Sequence, residues 1–154
     1  MERKTKIKAE DGKQDLVITR EFDLAIDLLF RAYVEPEIVE QWMGTRVLKL
    51  ENKKHGGWQF ETTDANGNKH GFGGVIHEFS ENRKITRTFE MENAPFGVQL
   101  EFLEFEKLTE DTSKLNMHVV YESVAHRDQM LKLPFARGLD MAHDRLEKIV
   151  GKLK

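Results

Sequence analysis

Residues 15–22, DLVITREF, alternate between apolar and polar positions. Leu16, Ile18 and Phe22 share a face with Arg20, as the two-residue period of a strand requires. The period then changes. In LAIDLLFRAYV, residues 24–34, Leu24, Leu28 and Phe30–Ala32 are spaced for one apolar helix face. Asp23 stands where an N-cap is expected. Pro36 opens a second short helix, PEIVEQWM, at the first-turn position where proline is tolerated, and Gly44 ends it.

Six further stretches read as strands, rich in branched and aromatic residues: VLKLEN, GWQFETTD, FGGVIHEF, KITRTFEME, VQLEFLEFEKL and KLNMHVVYES. Turn signals such as HGG, ANGN and NAPFG separate them, and such short connections make neighbours antiparallel. Trp58 and Phe60 alternate on one strand. Val75, His77 and Phe79 are expected to share an inward face, as are Ile85, Arg87, Phe89 and Met91. Val98, Leu100 and Phe102 form an apolar row that shifts to Leu103 and Phe105, which predicts a bulge within that strand. Leu115, Met117, Val119 and Tyr121 complete the sheet, with His118 turned outward.

The last segment returns to helical spacing. Leu131, Phe135, Gly138–Leu139, Ala142, Leu146, Ile149 and Leu153 lie along one stripe. About 26 helical residues would span about 40 Å, enough to cross the whole sheet. Pro134 and Gly138 weaken the first half, by about 3 and about 1 kcal/mol. With Met130, Phe135 and Met141 nearby, that half reads as a kinked, adaptable roof, and the second half as solid core. The expected fold class is α+β: a seven-stranded curved antiparallel sheet around one long C-terminal helix, with two short helices after the first strand.

Length and charge narrow the function. The 154 residues make one domain over 15–154, preceded by a basic start, MERKTKIK, within a flexible N-terminus over 1–14. A net charge of −3 disfavours nucleic acid, whose phosphates need a basic face. There is no cysteine, so no thiol nucleophile, disulfide or thiolate metal site, which fits a cytoplasmic protein. No apolar run is long enough for a membrane span, and the first residues lack a signal-peptide segment. The three serines, at 80, 113 and 123, have no nucleophile-elbow setting. Asp140, His143 and Asp144 lie one turn apart on the polar side of a helix and read as solvated; no HExxH pattern supports them. Neither metal nor cofactor is expected. His77 is the one histidine placed near a cavity, where with Arg87 it would hold a polar group of a ligand or polarise a carbonyl.

The stretch REFDLAIDLLFRAYVEPEIVEQWMG resembles the opening of the activator-of-Hsp90-ATPase C-terminal-like proteins, in the START-like (Bet v 1-like, SRPBCC) superfamily. The matching residues are Arg20, Phe22, Phe30, Pro36, Glu37, Trp42 and Gly44. The likeness continues through GGWQF, the DANGN turn, GGVIHEF and the terminal DRLEKIV. The resemblance implies a helix-grip fold with a hydrophobic cavity between sheet and last helix. Members bind lipids, sterols, polyketides, flavonoids or plant hormones, and some are cyclases. This chain departs from the pattern at Ala25, where members often have proline, and at Met43, where a second tryptophan is common. Leu133, Pro134 and Phe135 replace a Ser-Gly-Met-like stretch, so the roof differs locally.

These readings converge on a noncatalytic binder of a small, mostly hydrophobic molecule. Trp42 and Trp58 would offer ring faces near the entrance. His77, Arg87 and Tyr121 would orient polar atoms of the ligand. Phe60, Phe89, Met91 and Phe102 would line the sheet side, and Met130, Pro134, Phe135 and Met141 the roof. A cyclase or aromatase using the same cavity, through His77, is the second reading. A protein-interaction module with a chaperone partner is the third. The chain is expected to be a monomer or weak dimer.

Overall fold

Eight strands form one antiparallel sheet in the computed structural model, which describes residues 4–92 and 94–154. The elements run β1 (Lys6–Lys8), β2 (Asp15–Phe22), α1 (Ile26–Val34), α2 (Pro36–Met43), β3 (Arg46–Leu50), β4 (Gly57–Thr63), β5 (Lys69–Ser80), β6 (Lys84–Met91), β7 (Val98–Lys107), β8 (Ser113–Val120), α3 (Val124–Lys132) and α4 (Phe135–Gly151). The strand order is β1-β2-β8-β7-β6-β5-β4-β3. The helices cover the concave face, so the α+β, helix-grip character expected from the sequence holds.

The strand count is corrected from seven to eight. The additional strand, β1, lies in the segment read as a flexible terminus, and pairs Lys6 with Thr19, Ile7 with Ile18 and Lys8 with Val17. Three residues are too few to show a period. What holds them is remote in sequence. The Thr5 N–H donates to Asp140 Oδ1 at 3.0 Å, and Thr5 Oγ1 lies 2.8 Å from His143 Nδ1.

Period 2 assigns the concave face correctly along β2, β4, β6 and β8. It fails on the two other long strands. In β5, Ile76 points inward and is buried, while Val75 and His77 are exposed. A register shift between Ile76 and Glu78 then returns Phe79 to the core, against Phe30. In β7 the expected bulge is missing, and pairing on both sides runs unbroken. Gln99, Glu101, Leu103 and Phe105 therefore face inward. Leu100 and Phe102 face outward, and the Phe102 ring stacks on His118 at 5.8 Å.

The helices divide differently too. Ala25, not Asp23, occupies the N-cap of α1; the Asp23 N–H donates instead to Glu147 Oε1 at 2.8 Å. The second helix has the expected bounds, and Gly44 ends it in the left-handed conformation (φ 64°), which glycine adopts at least cost. The single C-terminal helix becomes two. Ser123 caps α3 by accepting from the His126 N–H. Leu133 is extended, as a residue before proline prefers, and Pro134 starts α4 instead of kinking a continuous helix. His143, Leu146 and Val150 of α4 are buried. They close the main core with Leu24, Leu29, Trp42, Leu103 and Leu115.

Gly138 sits inside α4, where a side-chain carbon would meet nothing within 4 Å. Gly138→Ala should therefore raise stability by about 1 kcal/mol, through helix propensity and a less free unfolded chain. Urea unfolding would check this; a lower midpoint would mean the bare backbone there has a packing role.

Candidate functional site

The concave face carries charge where a plain core would not. Arg87 of β6 pairs in register with Glu101 of β7. Arg87 Nε donates to Glu101 Oε1 at 2.9 Å, and Gln99 Nε2 donates to Glu101 Oε2 at 2.8 Å. The two charged side chains are only 12% and 5% exposed. Burial at this level is tolerated because each charge has its partner.

Arg87 is held from below as well. Its guanidinium carbon lies 4.4 Å from the Trp58 ring centroid, in cation–π contact. Trp58 is fixed in turn: its Nε1 donates to the Thr88 carbonyl at 3.1 Å, and its ring packs against Phe60, Phe72 and Phe89. With Nε engaged, the terminal guanidinium nitrogens have no protein hydrogen bond among the described residues.

Tyr121 follows directly after β8. The pairing of Leu100 with Val120 places it beside Gln99. Its ring is 3% exposed, packed with Leu16, Ile18 and Val119, and its hydroxyl is buried without a hydrogen bond. Burial first, and the Glu101 carboxylate second, push this phenol up to about 12. Tyr33, on α1, is also raised, by burial, and feels both Arg87 and Glu101. The phenols of Tyr33 and Tyr121 thus lie within the electrostatic reach of one buried ion pair.

Of the residues expected to bind ligand, Trp58, Arg87 and Tyr121 come together here, with Phe60, Phe89 and Met91 on the same face. Met130 and Phe135 are half-buried against the cluster that contains Tyr121. The others lie elsewhere. Trp42 is in the core between α1 and α2, 4% exposed, with its Nε1 donating to the Ala32 carbonyl at 2.6 Å and its ring edge-on to Tyr33. His77 and Phe102 point outward, for the register reasons given above. Pro134 and Met141 are exposed, Met141 by 49%. The sequence reading missed Gln99, Glu101 and Tyr33. Continuing the parity of Leu103 and Phe105 back through β7 without a bulge would have found the first two.

A second polar cluster surrounds Arg20, whose side chain is fully buried. Its guanidinium reaches Asp140 at 3.3 Å, and Asp144 and Glu147 at 2.9 Å each. Of Asp140, His143 and Asp144, only Asp144 is solvated, its side chain 57% exposed; His143 is 1% and the Asp140 side chain 16% exposed, and both aspartates pair with Arg20. No group of residues suited to a metal occurs among the described residues. This cluster ties β1 and β2 to α4; both terminal nitrogens of Arg20 are engaged and its Nε is buried without a partner, whereas Arg87 has its Nε engaged and its terminal donors free among the described residues. Two open clefts on the outer surface, of about 610 and 540 Å³, are lined largely by charged residues and include none of the Arg87 group.

A family model described as activator of Hsp90 ATPase homolog 1-like protein matches residues 23–151. No curated protein matches the chain. Among solved structures, a Rhodobacter sphaeroides protein is similar with a TM-score of 0.84 at 19% identity, over 96% of this chain and 99% of that one. A Mycobacterium smegmatis protein gives 0.83 at 18% identity, over 94% and 95% of the two chains. An Arthrobacter aurescens protein gives 0.85 at 16%, over 96% and 91%. At these identities the likeness is one of fold.

Proposed function

The chain belongs to the activator of Hsp90 ATPase homolog 1-like family, and on that premise we propose that it binds a small, mostly hydrophobic molecule on the concave face of its sheet, beneath α3 and α4. One observation carries this reading. Phe72, Phe89, Met91 and Met117 face the interior yet remain partly exposed, around a buried ion pair and an unbonded phenol. Mostly apolar walls with a few fixed polar atoms are the usual make-up of a small-molecule site. The cyclase reading depended on His77, which points away from this face, so binding is the better supported use. No helix among the described residues is long and apolar enough to cross a membrane.

Trp58 lies in the proposed site and Trp42 does not, so the two report separately. Titration with flavonoids, fatty alcohols, sterols and short polyketides should give a saturable change in tryptophan fluorescence. The change should persist in Trp42→Phe and vanish in Trp58→Phe. Ligand at a hundred times its Kd should add about 2.7 kcal/mol to stability, read as a higher melting temperature. A silent panel in both measurements would count against a binding site, and Hsp90 ATPase stimulation would then be the reading to assay.

A further inference from the structure

The concave-face cluster also selects the head group of what it binds. Both oxygens of Glu101 already accept a bond, one from Arg87 and one from Gln99. The ion pair is neutral as a whole and largely closed to water. An ionised carboxylate entering here would stand beside the Glu101 charge in a desolvated site, where like charges repel most. An ammonium would meet Arg87 with the same result. A neutral head group avoids both costs.

Tyr121 adds a requirement. Its hydroxyl, on a ring 3% exposed, has no partner. Buried polar groups in folded proteins are nearly always bonded, and each exception calls for a reason. The phenol can donate, so it needs an acceptor. Glu101, bonded by the Gln99 that lies beside Tyr121, has lone pairs left and can take a further donor. A hydroxyl serves both at once through a single oxygen. A ketone would accept from the phenol but bring no proton to Glu101, and a hydrocarbon would do neither.

We propose that the site recognises a neutral alcohol or phenol, whose oxygen accepts from Tyr121 and whose proton is donated to Glu101, with the apolar body lying against Phe72, Phe89 and Met91. Arg87 has a positioning role: its Nε–H holds Glu101 Oε1 in place. This assignment rests on the binding reading above and sharpens it.

A rigid matched series tests it: naphthalene, 2-naphthol, 2-acetylnaphthalene and 2-naphthoate, measured by titration calorimetry at pH 7. The expected order is 2-naphthol, then the ketone, then the hydrocarbon, with 2-naphthoate at least tenfold weaker than 2-naphthol. Tyr121→Phe should lower 2-naphthol affinity about tenfold, to the level of naphthalene, and leave naphthalene unchanged. Its melting temperature without ligand should not fall, which shows that the variant is folded. Glu101→Gln should tighten 2-naphthoate, because Arg87 is then unopposed. Naphthalene binding with no preference for the hydroxyl, or 2-naphthol affinity unmoved by Tyr121→Phe, overturns the head-group assignment and leaves the binding reading standing. If none of the four compounds binds, both fall.

Discussion

Arg20→Ala is expected to cost about 3–5 kcal/mol of folding stability, enough to unfold a large fraction of a marginally stable domain. The reason is asymmetric. Arg20 has a fully buried side chain that answers three carboxylates, those of Asp140, Asp144 and Glu147, and donates to Thr5 Oγ1 at 3.3 Å. Its guanidinium also lies over the Phe22 ring, 5.1 Å from the centroid. Removing it leaves Asp140 and Glu147, 16% and 21% exposed, without the Arg20 charge that stands between them, and opens a cavity beneath α4. Desolvated charge is the larger part, and a second variant separates the two. Arg20→Met fills most of the space and keeps the repulsion, so it should remain strongly destabilised. Adding Asp140→Asn and Glu147→Gln to it should recover most of the loss, since a buried ion cluster can often be exchanged for neutral groups at little net cost. Urea unfolding of the three proteins decides: no recovery in the triple variant would mean that packing, not charge, holds this corner.

Arg20 and Arg87 show what the sequence could and could not convey. Arg20 was placed on the inner face of β2 by alternation alone, and Arg87 on that of β6 in the same way. Their partners were harder to see. Asp140, Asp144 and Glu147 recur at helical spacing along α4, and carboxylates at such spacing usually face water; the crossing of α4 over β2 turns Asp140 and Glu147 inward to Arg20, while Asp144 meets it from the exposed side. Glu101 was hidden because apolar Leu100 and Phe102 flank it, and a pattern reader places the apolar residues inside. The sheet does the reverse there, since Arg87 across the strand gap gives the glutamate its charge partner and Phe102 finds His118 on the other face.

Bulges and breaks set the remaining limits. A register shift in β5 depends on how the strand pairs with β6, which no single strand states, and so His77 was assigned to the wrong face. Pro134 announced an irregularity, but a kink and a clean break look alike in sequence; the extended Leu133 and the Ser123 cap show a break. The strand β1 was illegible because its stabilising contacts, through Thr5, lie on the last helix. Thus local pattern fixed α2, the bounds of β2 and most inward positions, while the missed features depend mostly on contacts between elements: neighbouring strands for His77 and Glu101, remote ones for β1 and the carboxylates around Arg20.

Acid should weaken the fold through His143 before it weakens it generally. Burial, and then the nearby Arg20 charge, hold this imidazole down at about 4, although Asp140 and Asp144 pull the other way. In the unfolded chain it titrates near 6.5. Between those values the unfolded state binds the proton and the folded state does not, so stability falls as pH drops from about 6.5 to about 4, and the loss levels off below. The full shift corresponds to about 3 kcal/mol at 1.36 kcal/mol per pKa unit. The geometry gives the same direction. If Arg20 donates to Thr5 Oγ1 and the Thr5 hydroxyl donates to His143 Nδ1, protonating that nitrogen removes the acceptor and sets two donors against each other. The start of β1 would then lose one of its ties to α4, keeping the Thr5 N–H bond to Asp140. His143→Gln keeps a polar partner for Thr5 without the titration. Its stability should change less than that of the wild type between pH 6.5 and 4, by about 3 kcal/mol, in urea unfolding across that range. Comparing the two proteins at each pH cancels most of what Asp140, Asp144 and Glu147 contribute, since both proteins carry them. Parallel pH profiles would show that His143 is not the group that makes this fold acid-sensitive.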